Sequence, residues 1–209
     1  MTRRLIATAA MTVALGAFVL AQGRRPASPP GTASTQVGGH YTTPPGSDEP
    51  VYQGGKWIDV TYSRPIKRGR ELWGRGADYG KTLLLGAPVW RAGANVTTQL
   101  HTEAPIVING KRLEPGVYDL FIDLKPDHWT LIVSTWPVQT RYDPSNKEAL
   151  WGAFGYTPAH DVVRAPMTLG TLPFSMDELT WAFTDMTADG GKLTFMWDHT
   201  VASVPFTVS

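Results

Sequence analysis

Several features are missing from this chain of 209 residues, and each absence excludes a class of protein. It contains no cysteine, so neither a disulfide nor a thiolate nucleophile is available. Charged residues make up 18% of the sequence and form no basic block or stripe, which argues against a nucleic-acid partner. Neither a Gly-x-Ser-x-Gly elbow nor a His-Glu-x-x-His motif occurs, so two familiar hydrolase signatures are absent. Without disulfides, a folded domain must be held together by its core alone.

The first 21 residues have the three-part pattern of a secretory signal peptide. A basic start, Arg3-Arg4, precedes an apolar run from Leu5 to Ala21, and the run ends in small or aliphatic residues before Gln22. An uncleaved membrane anchor is the alternative, but the run is at the short end of the ~17–25 residues that a membrane span needs. No later apolar run is long enough to cross a membrane. We therefore expect residues 1–21 to be cleaved and the protein to be secreted or periplasmic.

Composition divides the rest of the chain into two parts. Residues 22–50 contain six prolines and five glycines and few large apolar side chains, which predicts a flexible tether. All eight tryptophans lie between Trp57 and Trp197, so we predict one folded domain over residues 51–209. Loss of Arg3 and Arg4 with the signal peptide would leave a net charge of −1.

Alternating apolar residues predict that this domain is all-β. Ile58, Val60 and Tyr62 alternate with Trp57, Asp59 and Thr61, as in a half-buried strand. Asn109-Gly110 is a two-residue hairpin signal between the segments Pro105 to Ile108 and Lys111 to Leu113. Short strands separated by Gly and Pro turns predict a single antiparallel β-sandwich, jelly-roll-like, with short turns and one long loop.

A set of motifs in this domain resembles a known family. The motifs are Tyr62-Ser63-Arg64-Pro65, Gly69-Arg70, Tyr79-Gly80-Lys81, Trp90-Arg91-Ala92-Gly93-Ala94-Asn95, Leu113 to Leu120, and Trp151-Gly152 before Asp161 to Arg164. Together they resemble the bacterial domain-of-unknown-function family 2911 over residues 57–208. The resemblance implies an exported, β-rich bacterial domain and no assigned activity. The chain is longer than the family pattern at residues 82–88 and 135–150, and those loops either contact a ligand of their own or have no function.

The first candidate site is a set of arginines near an aromatic residue and an amide. A guanidinium donates in fixed directions, so it suits a carboxylate, a phosphate or a sugar hydroxyl. The alternative is that these arginines hold loop carbonyls and the domain's own carboxylates. The proposed ligand-binding residues, with Gln99 from the strand that follows, are Arg64, Arg70, Trp90, Arg91, Asn95 and Gln99.

The second candidate is the polar face of that following strand. Asn95, Thr97, Gln99, His101 and Glu103 alternate along it and share one side, which suits a carbohydrate. The alternative is the solvated side of an edge strand. His101 and Glu103 also support a different hypothesis, a small secreted hydrolase or isomerase, possibly assisted by a metal ion.

The sequence favours a non-catalytic module over an enzyme. We expect an exported binding or structural domain with a site for a carbohydrate or a small anionic ligand, and we expect neither a cofactor nor a resident metal. The oligomeric state is left open. The enzyme hypothesis requires Arg91 and His101 to share one concave pocket, so their relative position discriminates between the two.

Overall fold

The computed structural model describes residues 26–209, so the predicted signal peptide at residues 1–21 lies outside the described residues. Most of the chain is β-strand. The strands are β1 (Pro30–Val37), β2 (His40–Thr42), β3 (Val51–Gln53), β4 (Lys56–Ser63), β5 (Thr98–Thr102), β6 (Ile106–Ile108), β7 (Lys111–Leu113), β8 (Gly116–Leu124), β9 (Trp129–Ser134), β10 (Asp161–Pro166), β11 (Thr168–Thr187) and β12 (Gly190–Val208). Helix α1 spans Lys81–Leu84, and 3₁₀ turns span Gly76–Asp78 and Pro158–His160.

Two antiparallel sheets form the sandwich. The larger sheet has the strand order β1-β4-β5-β8-β9-β10, and the smaller has the order β11-β12-β6-β7. Strands β2 and β3 pair separately. The predicted hairpin joins β6 to β7, and both turn residues have positive φ, 49° at Asn109 and 72° at Gly110, as a type I′ turn requires. The all-β sandwich predicted from the alternation is confirmed.

Aromatic side chains fill the space between the sheets. Trp129, Trp181 and Trp197 are each 1% exposed, as their alternation with polar residues predicts. Phe195 packs edge-on against Trp181, with the ring centroids 5.5 Å apart. Because no disulfide contributes, this aromatic core is the main source of the free energy of folding.

The N-terminal part of the expected tether is instead part of the sandwich. Residues Pro30–Val37 form β1 and pair in unbroken register with β4, from Pro30 opposite Ser63 to Val37 opposite Lys56. The expectation of a flexible tether over residues 22–50 is therefore wrong for this stretch. Composition predicted a tether because β1 consists of small and polar residues, which bury little apolar surface. As an edge strand, β1 is nevertheless held in place by its backbone hydrogen bonds with β4.

Two long connections shape the surface of the sandwich. Residues 64–97 join β4 to β5 and contain α1, and residues 135–160 join β9 to β10. The second connection covers the outer face of the larger sheet, where Phe121 and Ile132 pack with Leu150 and Tyr156 in a small separate core. No helix among residues 26–209 has the length and apolarity of a membrane span.

Candidate functional site

An open cleft lies where the 64–97 connection meets residue 151 and the first described residues. Its volume is about 550 Å³, within the range of small-molecule sites. We call it the arginine cleft. Its described lining residues are Ala27, Ser28, Pro65, Ile66, Arg68, Arg70, Thr82, Leu83, Leu85, Trp90, Arg91, Gly93, Ala94, Asn95, Trp151 and Trp197. They include three arginines and no acidic residue, so the cleft is positively charged.

The backbone corner at residues 90–95 is held by the core beneath it. Trp90 exchanges two backbone hydrogen bonds with Ile122 of β8, at 2.8 and 2.9 Å. The carbonyl of Ala92 accepts bonds from Trp181 Nε1 and Thr98 Oγ1, both at 3.0 Å. A side chain at Gly93 would begin 2.9 Å from that Thr98 hydroxyl, so the close approach requires glycine. The corner is therefore as tight as the sequence predicted.

Unusual backbone conformations are concentrated around this cleft. Arg68, Leu85 and Asn95 line it with φ of 51°, 52° and 59°, and Ala92 beside Arg91 has φ of 54°. The left-handed region is unfavourable for residues other than glycine, and such strain tends to cluster at ligand sites. Among the described non-glycine residues, three others share this conformation, and none of them lines the cleft.

Arg91 is the most buried of the cleft arginines, with 9% of its surface exposed. Its Nη1 donates to the carbonyl of Asn95 at 2.8 Å, and its guanidinium lies 5.9 Å from the ring of Phe154. The guanidinium also packs on Gly152, where a side chain would start 2.6 Å from Nη1. Burial lowers the pKa of Arg91, and no charged group among the described residues opposes that shift.

The remaining donors of Arg91 have no hydrogen-bond partner among the described residues. Its Nε and Nη2 form no hydrogen bond with any described residue. Among those residues, the single fully buried side-chain nitrogen or oxygen without a partner is Arg64 Nε, so Nε and Nη2 of Arg91 reach solvent. These two groups form one edge of the guanidinium, which is the edge that binds two oxygens side by side.

The other predicted arginines have partners within the protein. Arg64 forms a 2.5 Å ion pair with Glu178 and does not line the cleft. Arg70 does line it, but it donates to the carbonyls of Lys67 and Ile66 at 2.9 and 2.6 Å. Arg64 thus binds a carboxylate of the domain and Arg70 binds loop carbonyls, as the structural alternative predicts.

The remaining predicted ligand residues are divided between two places. Trp90 lies beneath the arginine cleft, 2% exposed and stacked on Trp197 with ring centroids 6.1 Å apart. Asn95 lies at its exposed edge. Gln99 is on the outer face of the larger sheet, where its Nε2 donates to Asp119 Oδ1 at 3.0 Å. The structure therefore brings together Arg70, Trp90, Arg91 and Asn95, while Arg64 and Gln99 lie elsewhere.

The polar strand face is a strip of paired side chains. We call it the polar strip and define it as Asp59, Gln99, His101, Glu103 and Asp119. His101 Nδ1 lies 3.9 Å from Asp59 Oδ2, and Glu103 Oε2 accepts a 2.8 Å bond from the Trp57 backbone. Strand β5 is central rather than at an edge, since β4 and β8 flank it. The expectation of an edge strand is therefore wrong.

Asp119 is the most perturbed group of the polar strip. It is 6% exposed, and burial raises the pKa of its carboxyl to about 6, opposed by the bond from Gln99. His101 and Glu103 do not line the arginine cleft, so the arrangement required by the hydrolase hypothesis is not formed. No cluster of three or more metal-ligating side chains occurs in the region 26–209.

Sequence reasoning missed part of the cleft lining. Arg68, Leu83, Leu85 and Trp151 were not among the predicted ligand residues. One signal was available, because both leucines lie in segment 82–88, where the motif resemblance implies a longer loop than in the family pattern. The partners of an irregular loop in space could not be read from its sequence.

The fold and the cleft define an all-β sandwich with a positively charged surface cleft. The family described as "Protein of unknown function (DUF2911)" matches residues 47–206, most of the chain, and the protein belongs to this family. The resemblance in the sequence motifs is thereby confirmed. Comparison with curated proteins and with solved structures gave no match.

Proposed function

We propose that the protein is an exported, non-catalytic binding module that holds a small anionic or sugar-like ligand in the arginine cleft. The observation that carries the proposal is Arg91, a buried guanidinium with no carboxylate partner among the described residues and with a free two-donor edge. A buried cation of this kind is normally paired, and an anionic ligand would supply the missing partner.

Binding fits the cleft better than catalysis does. Its described lining contains no carboxylate, imidazole or thiol, the groups that move protons near neutral pH. Four non-glycine residues in or beside the cleft have positive φ, and backbone strain of this kind is found at ligand-binding sites. Export is the second part of the proposal, and it rests on the signal pattern of residues 1–21.

Thermal unfolding with and without ligands tests the binding proposal. The probes are acetate, inorganic phosphate, glucuronate and neutral glucose, each at a saturating concentration. At least one of the four should raise the melting temperature of the wild type by several degrees, because a ligand at 100 times its Kd adds about 2.7 kcal/mol.

The matched control is the same substitution at a paired arginine. Arg91→Gln should remove the shift caused by each probe, whereas Arg64→Gln should keep it, since Arg64 is held by Glu178 outside the cleft. Circular dichroism confirms that both variants are folded. Absence of a shift with all four probes, or an equal shift in Arg91→Gln, would overturn the proposal.

A further inference from the structure

The arginine cleft has an apolar wall beside its charged groups. Ile66, Leu83 and Trp151 are half-buried in the lining, and Leu85 is 60% exposed there. A site for a free inorganic ion or a simple sugar does not need a wall of this kind. Apolar surface that stays in contact with water instead marks a place where an apolar group binds.

Leu85 is held in a conformation that leucine disfavours. It ends α1 in the left-handed region, with φ of 52°, where glycine or asparagine is the usual choice. A bulky side chain is strained there, and its exposure gains nothing from the hydrophobic effect. Neither folding nor solubility therefore favours leucine at this position, but contact with an apolar ligand would.

The buried positive charge of the cleft is that of Arg91, because Arg68 and Arg70 are exposed, and this one buried charge suits a single anionic head. Arg70 already donates to two carbonyls, so its capacity for a ligand is reduced. Arg91 is left with one complete edge, Nε and Nη2, which matches the two oxygens of a carboxylate. Asn95, whose backbone carbonyl accepts the Arg91 Nη1 bond, also lines the cleft.

We propose that the ligand is an amphipathic monocarboxylate. Its carboxylate binds the free edge of Arg91, and its apolar body packs on Leu83, Leu85 and Trp151. This inference rests on the proposed function of the same cleft and narrows it to one class of ligand. A purely polar anion would leave the leucine wall in water, and a neutral apolar molecule would leave Arg91 without a counter-charge.

A series of probes of increasing length tests the ligand class. Calorimetric titration of the protein is carried out with acetate, butyrate and octanoate, with neutral octanamide, and with glucuronate. We expect the affinity to rise along the three acids, by about fourfold for each methylene that becomes buried. Octanamide should bind at least tenfold more weakly than octanoate, and so should glucuronate.

Leu85→Gly tests the contribution of the apolar wall to binding without lowering the stability of the fold. Glycine suits the left-handed backbone, so the variant should be at least as stable as the wild type. It should bind octanoate about tenfold more weakly and acetate unchanged. Asp185→Gly is the matched control, because it relieves the same conformation, φ 50°, at a residue that does not line the cleft. It should bind octanoate like the wild type.

The outcomes distinguish this inference from the proposal on which it rests. Equal affinity for acetate and octanoate, an unchanged affinity for octanoate in Leu85→Gly, or tighter binding of glucuronate would overturn the amphipathic class and leave anion binding intact. Failure of every probe to bind the wild type, or equal binding by Arg91→Gln, would overturn both. Binding of octanamide as tight as that of octanoate would show that the charge of the head group is not needed and would overturn the monocarboxylate class.

Discussion

The arginine cleft and the polar strip both contain polar side chains, but these side chains differ in charge and in their partners. In the polar strip, strand register places polar groups opposite one another, with Asp59 beside His101 and Gln99 beside Asp119. In the cleft, the side chains come from irregular connections, and Arg91 has a carbonyl partner but no carboxylate. Polar groups of the strip thus have neighbours on the adjacent strand, whereas two donors of Arg91 have no hydrogen-bond partner among the described residues.

The difference shows why the more regular pattern is the poorer guide to function. A row of polar residues on a strand meets a second row on the neighbouring strand, and side chains directly opposite one another interact. A loop corner has no such neighbour, so its polar groups are satisfied by the backbone, by water or by a ligand. We therefore expect substitutions in the strip to change stability only and substitutions in the cleft to change binding.

The largest expected effect comes from the core that supports the cleft. Trp181→Ala removes a fully buried ring and the Nε1 bond to Ala92, and it should lower the free energy of unfolding by about 3–5 kcal/mol. Urea unfolding followed by circular dichroism measures the loss. Trp57→Ala is the control, since Trp57 is 45% exposed and its loss should cost far less. Comparable losses for the two variants would contradict the fold.

The second effect is a pH dependence that belongs to the polar strip. Because burial raises the pKa of Asp119 from 3.8 to about 6, the folded state holds its proton more tightly than the unfolded state. The contribution of this carboxyl to stability should thus fall as the pH rises from about 4 to about 6. Asp119→Asn should remove that slope and raise the free energy of unfolding at pH 7 by about 1–3 kcal/mol.

Chemical unfolding at pH 4, 5, 6 and 7 gives the difference between Asp119→Asn and the wild type at each pH, so other titrating groups cancel. Anion binding by the arginine cleft should be unchanged in the variant. A variant that is less stable than the wild type at pH 7 would show that the charged carboxylate is favourable in the folded state.

The third effect comes from a pair of glycine variants, one of which causes backbone strain alone while the other also displaces Arg91. Gly152 and Gly155 both have positive φ, 63° and 82°, so alanine at either should cost about 1–2 kcal/mol. At Gly152 the new side chain would also start 2.6 Å from Arg91 Nη1, while at Gly155 its nearest neighbour is 3.7 Å away. Titration with octanoate should therefore show lost binding in Gly152→Ala and retained binding in Gly155→Ala. Retained binding in both would mean that Arg91 does not hold the ligand.

The smallest effect is expected at His101. Its contact with Asp59 is long and exposed, so His101→Ala should change the free energy of unfolding by about 0.5 kcal/mol or less. It should also leave the anion-induced rise in melting temperature unchanged. A loss of ligand binding in His101→Ala would show that His101 belongs to the site and would support the catalytic alternative.

The fold could be predicted because its signals are local. Alternation over Ile58, Val60 and Tyr62 and the Asn109-Gly110 turn each specify structure within a few residues. Strand β1 was not predicted because its composition is that of a flexible tether. It is held in the sheet by its pairing with β4. An edge strand of small residues carries little signal of its own.

The site could be predicted only in part, for the same reason. The Trp90 to Asn95 corner was recognisable because small residues and a glycine enforce a tight turn. The pairing of Arg64 with Glu178 joins residues far apart in sequence, and Trp151 and Leu85 line the same cleft although they belong to two different long connections. Neither arrangement leaves a pattern in a single sequence.

The central claim is that Arg91 is the free anion-binding group of the cleft, and side-chain NMR tests it most directly. The Nε–H resonances of the arginines are followed while octanoate is added to ¹⁵N-labelled protein, with Arg91 assigned from the spectrum of Arg91→Lys. We expect the Arg91 resonance to shift and saturate while that of Arg64, which is paired with Glu178, stays in place. An Arg91 resonance that does not move, or that moves no more than the Arg64 resonance, would contradict the claim.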